Sequence, residues 1–364
     1  MSNQFPLSRT RTPVPDAERA AILAAPEFGR YFTDHMASAV WTPDREWHDR
    51  KIMPLQPFPL HPSAAVLHYA QEVFEGLKAY RHADGSVWLF RPELNARRFA
   101  SSATRLALPE LAGGDFLSSV EELVRADEQW VPGSAGEESL YIRPFMFASE
   151  AFLGLRPAKR VIYSVIASPV GPYFASGVRG VTLWVNSKYT RAAKGGTGTA
   201  KCGANYAASF AAQNEAQQHG CDQVLYLDRL GADGKGNLEE SGTMNLCLVT
   251  SDRRLLTPPL GTILEGVTRA TVLVLASEFG LTAEERPVSM DELRYGAAEG
   301  SITEVFATGT AAVITPIVGF RGNGYEFTIG NGAPGAWTLA LRKHVLDIQY
   351  GLAEDTHGWL RRVI

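Results

Sequence analysis

The segment richest in chemical possibility is Lys194-Gly-Gly-Thr-Gly-Thr-Ala-Lys201-Cys-Gly-Ala-Asn-Tyr206, where glycines and small residues surround Lys201 ahead of a helix. A phosphate-binding P-loop would end in Gly-Lys-Ser/Thr, but here Ala200 precedes Lys201 and Cys202 follows it. Two readings remain. One is a solvated loop lysine. The other is an amine that forms a Schiff base, which needs a tightly packed backbone and neighbours small enough for a flat group to approach.

A second segment, Leu238-Glu-Glu-Ser-Gly-Thr-Met-Asn-Leu246, sets Glu240 before a Ser-Gly turn that enters an apolar strand. Its carboxylate is either buried or an exposed turn group. The stretch 228–240 looks superficially like a calcium loop, yet its sixth position is Asp233, where the turn needs glycine, so a hairpin connection is expected. Leu264-Glu-Gly-Val-Thr268 and Ala307-Thr-Gly-Thr-Ala311 each join an apolar run to a turn. Backbone N–H groups at such turns, above all at a helix N-terminus, make anion sites.

The elements that must position these residues are legible in part. The chain has 364 residues, 45% hydrophobic and 20% charged, enough for two domains. Thirty-five Lys and Arg against 39 Asp and Glu give a charge of −4, which argues against nucleic acid or an anionic membrane surface as partner. Three cysteines, Cys202, Cys221 and Cys247, make neither a complete disulfide set nor a zinc pattern, and suit a reducing compartment. No apolar signal core opens the N-terminus, and the longest charge-free stretches are broken by proline, so a cytoplasmic protein is expected.

Residues 1–60 give weak signals apart from a helix at 16–25. The runs 77–80 and 87–90 read as a hairpin about Ala83-Asp84-Gly85-Ser86. A helix follows from Pro92, and another carries Phe116, Val120, Leu123 and Val124 behind an Asp115 cap. Strands are expected at 140–147, 160–167, 181–186, 223–227, 246–250 and 302–307. Helices are expected near 206–218, 267–279 and 336–349, the last with a stripe of Leu341, Val345, Ile348 and Leu352. Ser289-x-x-Glu292 is a capping-box signature. Gly171-Pro172-Tyr173 and Gly177 mark a boundary between α+β layers.

Taken together, Lys201, Tyr206, Glu240 and the two Gly/Thr turns resemble the branched-chain amino acid aminotransferases, pyridoxal phosphate enzymes of fold type IV. The resemblance covers nearly the whole chain. It runs through Phe28-Gly29, Thr33-Asp-His-Met36, His68-Tyr-Ala-Gln-Glu-Val-Phe-Glu-Gly76, Leu89-Phe-Arg-Pro92, Leu140-Tyr-Ile-Arg-Pro144 and Glu240-Ser-Gly-Thr-Met-Asn245. It implies an α+β, two-domain fold: a small N-terminal domain at 1–170, an interdomain loop at 171–180 and a larger domain at 181–364 with a barrel-like sheet. It also implies pyridoxal 5'-phosphate between the domains and a homodimer whose second subunit lends Tyr69, Leu153 and Leu155.

By the same resemblance, Lys201 is the Schiff-base lysine and the base that shifts the substrate proton. Glu240 pairs with the pyridine nitrogen, and Tyr206 meets the ring's O3′. The phosphate meets Arg98, the amides of Val267 and Thr268, and Thr310, with Thr243 and Arg191 as further cofactor-side residues. Arg97 competes with Arg98, and the family register favours Arg98. Phe28, Phe74, Tyr141, Tyr173 and Tyr206 form an apolar wall with the second subunit's three residues. Arg143 takes the distal carboxylate of glutamate or 2-oxoglutarate, while Tyr141 and the amides of Thr310 and Ala311 hold the α-carboxylate.

The activity implied is transamination of leucine, isoleucine and valine with 2-oxoglutarate. One departure is that a CxxC redox pair found in some members is replaced by Ala312 and Thr315, so thiol regulation of that type is not expected. The alternatives within the fold type are D-amino acid transaminase and aminodeoxychorismate lyase, which are shorter and lack the Leu-Tyr-Ile-Arg motif. A non-catalytic cofactor-binding protein is the alternative from another class.

Overall fold

The computed structural model describes residues 4–134, 136–173, 177–230 and 235–364. The chain forms two compact units. The first comprises Met1–Pro172, Ala200–Gly203 and Asp347–Ile364, and the second Tyr173–Thr199 and Ala204–Leu346. Two stretches that a cut at 171–180 assigns to the larger domain, one of them containing Lys201, thus belong to the first unit. Asp233 and residues 174–176 of the expected interdomain loop lie outside the described residues.

The first unit holds α1 (Asp16–Ala24), β1 (His35–Thr42), β2 (Glu46–Pro54), α2 (Val66–Tyr69), β3 (Glu72–Phe74), β4 (Leu77–Arg81), β5 (Val87–Phe90), α3 (Pro92–Arg105), α4 (Gly113–Ala126), β6 (Ser139–Ala148), β7 (Val161–Val170) and the C-terminal β17 (Leu360–Arg362). Its antiparallel sheet runs β17-β5-β4-β6-β7-β1-β2, with β3 beside β6. Helix α4 packs on β1, β2, β6 and β7, and α3 packs on α4. Between them lie Phe99, Phe116 and Tyr163, with Phe99 ring centroids 5.4 Å from Phe116 and 5.7 Å from Tyr163.

The β4–β5 hairpin forms as its turn residues dictate: Gly85 takes φ +86°, and Asp84 Oδ1 accepts from Ser86 N at 3.0 Å. Pro92 stands in the first turn of α3, where a missing N–H costs nothing. Asp115 does not cap α4. The helix starts two residues earlier, and the Asp115 carboxylate accepts from Arg50 at 2.8 Å instead.

The β1–β2 hairpin has no counterpart in the sequence reading. Strand β2 is an edge strand carrying Glu46, His48, Asp49, Arg50 and Lys51, so only Trp47 and Ile52 are buried and apolar alternation is faint.

The second unit contains β8 (Val181–Val185), α6 (Phe210–Gln218), β9 (Gln223–Leu227), β10 (Leu238–Ser241), β11 (Met244–Thr250), β12 (Arg254–Thr257), α7 (Val267–Leu275), β13 (Thr282–Glu285), α8 (Met290–Glu299), β14 (Ile302–Gly309), β15 (Val313–Gly322) and β16 (Tyr325–Thr328). Helices α5 (Gly203–Ala207) and α9 (Ala336–Gln349) each begin in one unit and end in the other.

Strands β10-β9-β8-β15-β14-β11 pair in sequence and β11 pairs back to β10, closing a six-stranded barrel. Closure removes sheet edges and lets Leu183, Leu225, Leu246, Leu248, Val305 and Ile317 fill one core. Parallel β8 and β9 are joined through α6, and parallel β12 and β13 through α7.

The helix expected near 206–218 is two, α5 and α6, and the one near 267–279 becomes a 3-10 turn after Leu275. Leu352 leaves the stripe of α9, because the helix ends at Gln349 and Leu352 is exposed. Ser289 does cap α8, its Oγ accepting from Glu292 N at 3.0 Å.

Candidate active site

In the first unit, backbone contacts fix Lys201. Its amide donates to Ser102 Oγ at 3.0 Å, and its carbonyl accepts from Phe74 N at 2.9 Å. Its Nζ lies 5.0 Å from the centroid of the Phe74 ring. Gly203 N donates to Glu72 Oε1, and a Cβ on Gly203 would overlap that oxygen, so the close approach requires glycine.

Burial, and then the Arg98 guanidinium, bring the Lys201 amine from 10.5 down to about 8; Glu75 and Tyr141 oppose the fall and Arg143 adds to it. An amine of this basicity is matched to taking and giving a proton near neutrality.

Arg98 and Arg97 are separated by the helix period. On α3, Arg98 faces inward and is buried, while Arg97 is exposed. Arg98 Nε meets Glu75 Oε1 at 2.6 Å and its Nη2 meets Glu75 Oε2 at 2.8 Å, a two-point grip that fixes the guanidinium plane. Asn95 Nδ2 also donates to Glu75 Oε2, at 2.8 Å.

Strand alternation on β6 puts Leu140 and Ile142 on the core face and Tyr141 and Arg143 together on the other. Arg143 Nη2 donates to Tyr141 Oη at 3.0 Å, and its guanidinium carbon lies 4.8 Å from the Phe74 ring centroid. Phe28 meets Tyr141 edge-on at 5.0 Å. Tyr141, Arg143 and Phe28, with Phe32 and Ile166, line a cavity of about 220 Å³ that is aromatic on one side and holds one arginine. Tyr69 donates to Leu153 O, and Tyr69, Leu153 and Leu155 all stand exposed, Leu155 at 89%. Tyr173 is exposed as well.

In the second unit, Glu240 is buried on β10. Its Oε1 accepts from Leu264 N at 2.7 Å and Asn245 Nδ2 at 3.0 Å, and its Oε2 is paired with Arg191 Nε. Arg191 Nη1 donates to Gly198 O at 3.0 Å and Thr262 O at 2.8 Å, tying the glycine-rich loop to the segment before α7. That places Arg191 against Glu240. Asn245 faces Glu240 across the two-residue Gly242-Thr243 turn. Thr243 is exposed, and it lines a small cleft with Tyr206, Arg191 and Tyr226.

Val267 and Thr268 are the first two residues of α7, where N–H groups have no acceptor within the helix. A Cβ on the preceding Gly266 would strike Asn245 Oδ1. Thr310 and Ala311 lie in the turn from β14 to β15, closed by Val313 at φ +60°. For a β-branched residue that conformation stores roughly 1–3 kcal/mol, held by the surrounding barrel.

Glu75, Asn245 and Ser102 join these residues without a role that their motifs announce. Asn245 had a usable signal, since it stands five residues after Glu240 across a tight turn; Ser102 had none. None of the three cysteines is in a disulfide and all are buried, and burial pushes Cys247 up to about 12.

An amine of lowered basicity, a buried carboxylate paired with arginine and an open helix N-terminus fit, in donor chemistry, the aldehyde, ring nitrogen and phosphate of pyridoxal 5'-phosphate. Known proteins agree. The family model for class IV amino-transferases matches residues 72–320.

The branched-chain-amino-acid aminotransferase of Mycobacterium tuberculosis H37Rv is 51% identical over 100% of this chain and 99% of its own length. Branched-chain-amino-acid aminotransferase 2 of Bacillus subtilis is 40% identical over 98% of this chain and 96% of its own. The crystal structure of the Escherichia coli branched-chain amino acid aminotransferase superposes with a TM-score of 0.73 at 27% identity, covering 90% of this chain and all of that one. The branched-chain amino acid aminotransferase of Thermobaculum terrenum, in its PLP-bound holo form, superposes at 0.68 and 26% identity, covering 90% of this chain and 98% of that one. The barrel, the lysine loop and these full-length likenesses together make the chain a member of the class IV amino-transferase family.

Proposed function

We propose that the chain transfers the amino group of leucine, isoleucine or valine to 2-oxoglutarate, giving the branched-chain 2-oxo acid and L-glutamate. The observation that carries this reading is the meeting, in the first unit, of the Lys201 amine with Phe74, which also faces Arg143 of the aromatic cavity. An apolar wall with Arg143 in it suits both an aliphatic side chain and the distal carboxylate of glutamate. The full-length relatives bear branched-chain names, which favours this activity over D-amino acid transamination or aminodeoxychorismate cleavage.

The cofactor is pyridoxal 5'-phosphate, which supplies, when bound, an aldehyde to join the amine and a ring that takes up the electrons left at Cα. Lys201 Nζ then removes the Cα proton and carries it, one base serving both ends of a 1,3 shift. Glu240, paired with Arg191, would hold the ring nitrogen. Arg98, the α7 amides of Val267 and Thr268, and Thr310 bind the phosphate; Tyr206 meets the ring oxygen, and Thr243 stands on the cofactor side. Arg143 binds the distal carboxylate, while Tyr141 and the amides of Thr310 and Ala311 orient the α-carboxylate. Phe28, Phe74 and Tyr173 exclude water from the reacting carbon.

The working form we propose is a cytoplasmic homodimer. The exposure of Tyr69, Leu153 and Leu155 supports their insertion into a partner's site, and three cysteines outside any disulfide suit a reducing compartment. Among the described residues no helix is long and apolar enough to cross a membrane.

The test is an absorption spectrum of the purified chain followed by L-leucine without an oxo acid. Conversion of a visible cofactor band to the pyridoxamine form is the expected result. A band bleached only by a D-amino acid would favour the D-amino acid transaminase, and a colourless chain that cannot be reconstituted would overturn the Lys201 assignment.

A further inference from the structure

Glu75 lies in none of the roles above, yet it is 0% exposed and its carboxylate collects four donors: Arg98 Nε and Nη2, Asn95 Nδ2, and Gly76 N at 3.1 Å. A carboxylate so placed stays ionised; burial alone would raise its pKa, but Arg98 and Lys201 bring it below the ordinary value. Backbone contacts bring its segment against that of Lys201: Phe74, its chain neighbour, donates to Lys201 O at 2.9 Å, while Glu75 N donates to Pro144 O at 2.7 Å.

Among the charged and titratable groups that act on Lys201 are Arg98 on α3, Glu75 after β3, and Tyr141 and Arg143 on β6. Of these, Arg98 and Arg143 are cations, and the Glu75 carboxylate opposes them.

We propose that Glu75 is a positioning residue of the Lys201 site, which fixes the Arg98 guanidinium by a two-point grip and supplies the negative charge that keeps the lysine amine able to hold a proton between two arginines. The proposal deepens the proposed function and rests on it for the identity of Lys201 as the cofactor-linked lysine. Without Glu75, Arg98 and Arg143 would drive the proton from Nζ, and the amine could no longer carry it from one carbon to the next.

The test compares the wild type with Glu75→Gln, Glu75→Asp, Arg98→Met and the double variant E75Q/R98M. One readout is the pH midpoint of the visible cofactor band in the loaded chain. Another, on the cofactor-free chain, is the pH dependence of Lys201 labelling by trinitrobenzenesulfonate, read on its peptide. Glu75→Gln is expected to lower both midpoints by about one pH unit or more, a tenfold loss of proton affinity, while Glu75→Asp restores most of it.

The double variant is expected to fall below R98M alone. That comparison carries the test if the single Gln variant fails to fold. Unchanged midpoints in a folded Glu75→Gln, or equal midpoints for R98M and the double variant, overturn the proposal. Borohydride reduction of the loaded chain separates the two ideas. A label on another lysine sinks the cofactor assignment, and the labelling profile of Lys201 still decides the role of Glu75.

Discussion

Glu240 and Arg191 form an ion pair, Oε2 to Nε, in which the two side chains are 1% and 8% exposed. They come from separate segments, and Arg191 also bonds the carbonyls of Gly198 and Thr262. The pair therefore sets a buried carboxylate against a guanidinium, and at the same time fastens the glycine-rich loop.

Arg191→Met removes the guanidinium that faces that carboxylate. Removing one partner of a buried pair costs roughly 3–5 kcal/mol, so the melting temperature should fall sharply, and adding Glu240→Gln should recover part of the loss. Calorimetry on the single and double variants checks this; a double variant no more stable than Arg191→Met would locate the cost elsewhere.

Lys201→Ala removes the amine that is poised at about 8. Turnover of L-leucine should vanish while the chain still takes up the cofactor without a covalent bond, which dialysis and borohydride reduction would reveal. Turnover near the wild-type rate would rule out Lys201 as the base.

Arg143→Ala should discriminate between the two oxo acid substrates. Hydrogen bonds to a charged group are worth about 1.5–3 kcal/mol, so KM for 2-oxoglutarate should rise roughly 10- to 100-fold. The value for 4-methyl-2-oxopentanoate should change little. Equal losses for both in steady-state kinetics would make Arg143 a structural partner of Tyr141 and Phe74.

Glu239 is 3% exposed; Thr262 donates to its Oε1, and its Oε2 has no hydrogen-bond partner among the described residues. Burial raises its carboxyl pKa above 4.5, so above that pH the folded chain binds more protons at this site than the unfolded chain, and the site loses stability as pH rises. Glu239→Gln should therefore stabilise by about 1 kcal/mol at pH 7, an advantage that fades as pH falls toward the unfolded value. Melting curves of both proteins across roughly pH 4–7 test it, and a pH-independent difference would refute the assignment.

Local features were legible because they depend on residues close in the chain. The β4–β5 hairpin follows from Asp84 and Gly85, the start of α3 from Pro92, and the cap of α8 from Ser289. The inward turn of Arg98 rather than Arg97 follows from the period of α3. The β1–β2 hairpin was illegible, because an edge strand rich in charge leaves little apolar alternation to read.

The sequence by itself determined the lysine loop, the carboxylate turn and, through its long ordered motifs, the family. What only the tertiary structure decided is the electrical setting of those groups. Glu75 stands 23 residues from Arg98 and far from Lys201 in the chain, and no periodicity links them. Arg191 and Glu240 are likewise separated by α5, α6 and β9. Spacing encodes which residues share a face of one helix or strand. Which charges meet in a place poor in water is set by how the elements pack, and that packing fixes the basicity of Lys201.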